Sequence, residues 1–174
     1  MRSLRGARLR VAGRVHEATD QLFRGFTRLA SAAPAGVSNY EERHLRELLP
    51  LARIRPACNQ FECHPRLPQR ELRAVCHELG VVPVAYSSLG CGKLLAEPLV
   101  TSLARAEGRT PAQLLLKWGL QSGLAVLPKS VHPERIRDAA EPALLGWELA
   151  AGTMAALDGL SDGHHYCWDP SKIP

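Results

Sequence analysis

From residue 36 onward the apolar positions alternate between helical spacing and short continuous runs. The segment SNYEERHLRELLP places Leu45, Leu48 and Leu49 at helical spacing behind acids in the first turn, with Ser38 and Asn39 expected to cap it. PACNQFE is a short apolar strand bounded by Pro56 and Pro65. PQRELRAVCHELG predicts a helix with Leu72, Val75, Cys76 and Leu79 inward, closed by Gly80. VVPVAY follows as a strand, then a glycine-bearing loop, SSLGCGKLLAEP, and a helix over LVTSLARAEG ended by Gly108. TPAQLLLKWGLQSG opens with Thr110 as N-cap and Pro111 at the first helical position. LAVLP is a strand and HPERIRDAA starts another helix, while the last helix, LAAGTMAALDGL, lacks a capping side chain.

The order helix, strand, helix, strand, helix, helix, strand, helix implies parallel strands joined by right-handed crossovers. The strands are almost wholly apolar, as strands covered on both faces are. The class is therefore α/β, either a doubly wound sheet or part of a (β/α)8 barrel.

The chain before this pattern is different. Residues 1–35 form a basic N-terminal segment, expected to be poorly ordered or a single helix, and 36–174 form the regular domain. Residues 1–30 hold seven Arg against Glu17 and Asp20, whereas the other 144 residues hold 15 basic and 15 acidic side chains. The net charge of +5 thus sits entirely in the first 30 residues, which argues against nucleic-acid binding by the folded part. Leu4, Ala7, Val11 and Val15 share a helical spacing among the arginines, which resembles a mitochondrial presequence. Leu22, Phe23, Phe26 and Leu29 predict one further helix. No apolar run reaches the roughly 20 residues of a membrane span, so no membrane partner is expected. Five cysteines, at 58, 63, 76, 91 and 167, show no CxxC spacing and fit free thiols in a reducing compartment. The pairs Cys63-His64 and Cys76-His77 match no zinc spacing, so no metal is expected. The expected location is cytoplasmic, with mitochondrial targeting as the alternative that the arginines raise.

Ligands of parallel α/β folds sit at the carboxyl ends of the strands. Those positions carry Ser38 and Asn39, then Asn59 and Gln60, then Tyr86, Ser87 and Ser88, then Lys129 and Ser130, with Arg135 in the next turn. No Asp or Glu is expected among them. Such a set suits a large anionic ligand with an aromatic ring: Tyr86 to stack, Asn39 and Gln60 to pair with an amide, and Lys129, Ser130 and Arg135 to hold a phosphate. The glycine-rich GxGxxG fingerprint is absent.

GVSNY, NQFECHP, VAYSSLGCGKLL and LPKSVHPERI resemble, in order and spacing, the second half of the aldo-keto reductases, and the resemblance runs from Gly36 to about Pro170. It implies a partial (β/α)8 TIM barrel, roughly the last four βα units, binding NADPH at its C-terminal face. By that resemblance Ser38, Asn39 and Gln60 hold the nicotinamide carboxamide and Tyr86 stacks on the ring. Ser87 and Leu89 line the pyrophosphate. Lys129, Ser130, Val131 and Arg135 form the adenosine 2′-phosphate segment. The implied chemistry is NADPH-dependent reduction of an aldehyde or ketone by hydride transfer.

The same resemblance implies a tyrosine acid with a lysine, an aspartate and a histidine near it. No residue of this chain is assigned to those roles: no tyrosine precedes Tyr40, no lysine precedes Lys93, and His16 is the one histidine before Gly36. Tyr40 and Tyr166 read as packing or loop residues. Asp138 and Ala139 stand where the family commonly has a Glu or Gln and an Asn for the adenine, and Pro34 stands where an apolar strand is expected. The expectation is an inactive or very weak reductase as this chain. The alternatives are an NADP(H)-binding module that pairs with another copy or another chain through open barrel edges, or an unstable truncated product.

Overall fold

A computed structural model describes residues 35–172. The expectations placed on residues 1–34, namely the presequence-like helix, the second short helix, His16 and Pro34, lie outside the described residues.

Four parallel strands form one sheet in the order β1-β2-β3-β4: β1 is Gly36–Ser38, β2 is Cys58–Glu62, β3 is Val82–Tyr86 and β4 is Ala125–Val126. Between and after them run α1 (Glu42–Leu48), α2 (Arg70–Glu78), a 3-10 helix (Gly90–Ala96), α3 (Pro98–Ala106), α4 (Pro111–Gln121), α5 (Pro133–Asp138), α6 (Glu141–Leu145) and α7 (Ala151–Asp158). Neighbours in the sheet are neighbours in sequence, as a run of βα units requires.

Most local signals act as read. Leu72, Val75, Cys76 and Leu79 of the α2 region all join the core. Gly80 takes φ +67 and lets the N–H of Val81 reach back to the Cys76 carbonyl at 2.8 Å. Thr110 and Gln113 exchange a capping pair, the Thr110 side chain accepting from the Gln113 N–H at 3.2 Å and the Thr110 N–H donating to Gln113 Oε1 at 3.1 Å. Ala150 caps α7 with no side-chain bond, as the sequence predicts.

The start of α1 differs. Ser38 is still strand, and Asn39 has φ 57 with its N–H bonded to the Gln60 carbonyl at 2.7 Å. Chain committed to the sheet that far cannot cap a helix, so Glu41 takes the role in a capping box with His44, whose Nδ1 accepts from the Glu41 N–H at 3.1 Å. β4 is shorter than LAVLP suggested, with Leu127 left 50% exposed, and α6 was not anticipated.

The core lies on one face of the sheet. Val37, Asn59, Phe61 and Ala85 are buried against helices, together with Leu45, Leu114, Leu115, Trp118 and Leu157. Asn59 is fully buried and fully paired: it donates to the Tyr40 carbonyl at 2.7 Å and accepts from the Tyr40 N–H at 3.3 Å. The other face is open except near Val84 and where the C-terminal segment covers Glu62. Gly36, Ser38 and Ala125 are exposed and Val82 is 52% exposed. Alternation along each strand makes this the face that would look into a closed barrel. Among the described residues no helix is long and apolar enough to cross a membrane.

Candidate functional site

Parallel register sets the polar strand ends side by side. Ser38 pairs with Gln60 and Glu62 with Tyr86. Ser38 Oγ donates to the Gln60 carbonyl at 3.0 Å, and Tyr86 Oη donates to Asn39 Oδ1 at 3.1 Å. Four of the sequence-identified residues, Ser38, Asn39, Gln60 and Tyr86, therefore form one cluster from three consecutive strands. Burial, reinforced by the Cys167 thiol and Glu62 close by, pushes the Tyr86 phenol above its ordinary value, so it remains a neutral donor.

The next segment turns sharply. Ser87 has φ 52 and Gly90 φ +58, and a side chain at 90 would collide with Tyr166 Cε2 at 2.5 Å. Ser87 Oγ lies 3.2 Å from Cys167 Sγ and 3.6 Å from Cys91 Sγ, while Leu89 packs against the core. Beyond β4, Lys129 and Arg135 are exposed and have no ion-pair partner among the described residues, and Val131 is 72% exposed. Ser130 Oγ accepts from the His132 N–H at 3.1 Å, so its hydroxyl shapes the turn that leads into α5.

The strand ends also carry a group the sequence reading left out. No acid was expected there, yet β2, the strand read as PACNQFE, ends on Glu62. Its side chain is 1% exposed and gathers the C-terminal segment. Oε1 accepts from the Tyr166 N–H at 2.7 Å and lies 3.0 Å from His64 Nε2. Oε2 lies 3.2 Å from the Cys167 N–H and 3.3 Å from His165 Nδ1. Arg66 adds a second anchor, an ion pair to Asp162 together with its own carbonyl, which accepts from the N–H groups of Asp162 and Gly163. The acid in NQFECHP was visible in the sequence, but apart from His64 its partners lie 103–105 residues further along the chain. Beside this strap is a cavity of about 340 Å³, lined among others by Asn39, Glu62, Gln69, His165 and Asp169.

Two opposing effects act on Glu62. Burial raises its carboxyl, but the bonds from His64, Tyr166 and Cys167 outweigh that and hold it below its ordinary value. Burial likewise dominates at His64 and keeps the imidazole below its ordinary value despite Glu62. A neutral His64 donating through Nε2 agrees with its buried Nδ1 having no partner. Both depressed groups favour the fold at neutral pH. The His64 contribution is complete above about pH 6.5 and is lost as pH falls from there; that of Glu62 is complete above about pH 4.5 and is lost below it. The thermal midpoint should therefore fall in two acid stages, and a midpoint flat from pH 7 to pH 4 would contradict this reading of the strap.

With this geometry in hand, the comparisons with known proteins are specific. The sequence pattern of the Aldo/keto reductase family matches residues 31–162. An aldo-keto reductase of Mycolicibacterium vanbaalenii is 49% identical over 135 residues, covering 78% of this chain and 48% of the relative. The apo crystal structure of Gox0644 superposes with a TM-score of 0.70 at 36% identity, covering 78% of this chain and 49% of that one. MGS-M4, an aldo-keto reductase from a Medee basin deep-sea metagenome library, shares the fold with a TM-score of 0.79 at 24% identity, covering 90% of this chain and 59% of that one. The chain spans about half the length of the curated relatives it matches. Its four-stranded parallel sheet is half of the family's barrel, and the chain belongs to the aldo/keto reductase family.

Proposed function

We propose that the segment from residue 36 onward is the NADPH-holding half of an enzyme that reduces aldehydes or ketones. The supporting observation is the Ser38–Asn39–Gln60–Tyr86 cluster at three adjacent strand ends, where a polar, half-buried surface fits an aromatic carboxamide. Ser87 and Leu89 would line the pyrophosphate, and Lys129 and Arg135, both exposed and without an ion pair among the described residues, would take the 2′-phosphate beside Ser130 and Val131. When bound, the cofactor supplies a hydride. The residues named here orient it. None of them is assigned to protonate the carbonyl oxygen. Tyr40 is buried against the core, and Tyr166 packs its ring on His64 and His164 at 4.9 and 4.6 Å between ring centres, with Lys93 Nζ 5.6 Å from the ring centre; neither is given that role.

A second reading, favoured by the open sheet face with Val82 and Leu127 half exposed, is that the chain works paired with another that covers this face. One experiment addresses both. Titrating the 174-residue chain with NADPH, followed by cofactor fluorescence, should give saturable binding with little aldehyde turnover. Turnover should rise when the separately expressed N-terminal half of a full-length relative is added. No saturable binding would remove the first reading, and no gain in turnover would remove the second.

A further inference from the structure

Cys91 and Cys167 come from segments 76 residues apart, yet their sulfurs lie 4.0 Å from each other across the Ser87 hydroxyl. We propose that these two thiols are a peroxide-oxidisable pair that closes to an intramolecular disulfide, fastening the C-terminal segment to the loop after β3.

Three features favour this pair. First, both partners are accessible: Cys91 is exposed and Cys167 half-buried, whereas Cys63 and Cys76 are fully buried. Burial also pushes the Cys63 thiol up to about 12, leaving it unreactive. Second, Cys167 is held in place. Its N–H is bonded to Glu62, and its sulfur touches Ser87. Third, the partner can move. A disulfide needs its sulfurs about 2.05 Å apart, so one of them must travel roughly 2 Å. Cys91 sits in a left-handed turn at φ 53, between Gly90 at φ 58 and Gly92 at φ 87. The Cys91 side chain is exposed, and rotation about its Cα–Cβ bond takes up the travel.

The chemistry balances with hydrogen peroxide as oxidant. Cys91 Sγ attacks one peroxide oxygen; the S–O bond forms, the O–O bond breaks, and the other oxygen leaves as water with the thiol proton. Cys167 Sγ then attacks the sulfenic sulfur of Cys91; the S–S bond forms, the S–O bond breaks, and a second water leaves. Two thiols and one peroxide give one disulfide and two waters. Cys91 is the exposed sulfur and meets peroxide first; Cys167, half-buried and held by Glu62 and Ser87, resolves.

The test uses the full chain and stoichiometric hydrogen peroxide. Thiol titration after denaturation should fall from five groups to three, and the intact mass should drop by about 2 Da, the two hydrogens lost in disulfide formation. A non-reducing peptide map should join the Cys91 and Cys167 peptides. Cys91→Ser and Cys167→Ser should each abolish the crosslink, and Cys58→Ser should leave it intact. The oxidised chain should unfold about 5–15 °C higher, reversibly with dithiothreitol. Oxidation to sulfinic acid, to intermolecular disulfides or to any other pairing overturns the proposal. Ser87 and Leu89 link this loop to the NADPH reading, so both forms are also titrated with NADPH. A crosslink without NADPH binding retains the redox pair and removes the dinucleotide reading; NADPH binding without a crosslink does the reverse.

Discussion

Glu62→Ala should cost the chain about 3–5 kcal/mol, the range for breaking a buried charged network by removing one partner. For a chain of this length that is a fall of about 6–20 °C in thermal midpoint. The size follows from what is left behind. His64 Nε2 and the N–H groups of Tyr166 and Cys167 all point at the carboxylate, and each would become a poorly satisfied donor in or near the core. Total stabilities of about 5–15 kcal/mol make this a large fraction of the whole. Glu62→Gln should cost less, because one carbonyl oxygen still accepts, but the amide nitrogen then faces donors. A chymotryptic digest separates strap loss from general unfolding: early cleavage at Tyr166 and Trp168, with the sheet still protected, is the expected pattern. Alanine and wild type with equal midpoints would show that Glu62 is not what holds the C-terminal segment.

That prediction rests on the part of the site that was hardest to read in advance. Helices and strands were legible because their signals are local: Leu72, Val75 and Cys76 at helical spacing, Gly80 at a helix end, Thr110 with Pro111 and Gln113 at a helix start. Ser38, Asn39, Gln60 and Tyr86 were legible because parallel strands place their carboxyl ends together whatever the details of packing. What escaped depends on where an element stops or on contacts between distant segments. β2 ends on Glu62, the last residue of the strand read as PACNQFE, but that acid was left out of the strand-end set, and its burial under residues 165–167 turns an expected acid-free rim into one with a buried carboxylate. The α1 cap moved from Ser38 and Asn39 to Glu41 because sheet pairing claimed Ser38 and the N–H of Asn39. The Cys91–Cys167 approach spans 76 residues and a left-handed turn, neither of which leaves a periodic trace in the sequence.

Arg135→Ala should weaken NADPH binding about ten- to a hundredfold and leave NADH binding nearly unchanged. A charge-assisted hydrogen bond to a phosphate contributes roughly 1.5–3 kcal/mol, and each 1.4 kcal/mol is about tenfold in affinity. The fold supplies the conditions for a clean effect. Arg135 lies in α5, is exposed, and forms no ion pair among the described residues that the substitution would break, so little stability is at stake. Its exposure also means that salt should compress the difference, since screened charges more than about 8 Å apart interact weakly at physiological ionic strength. Measuring at low and moderate salt therefore tests the same claim twice. Arg135→Lys keeps the charge and loses the planar fork, and should fall between the two. The comparison of cofactors is decisive, because NADH lacks the one phosphate that Arg135 is proposed to hold. Equal losses for NADPH and NADH would mean that Arg135 acts on something the two share, and the 2′-phosphate assignment of Lys129, Ser130 and Arg135 would fall with it.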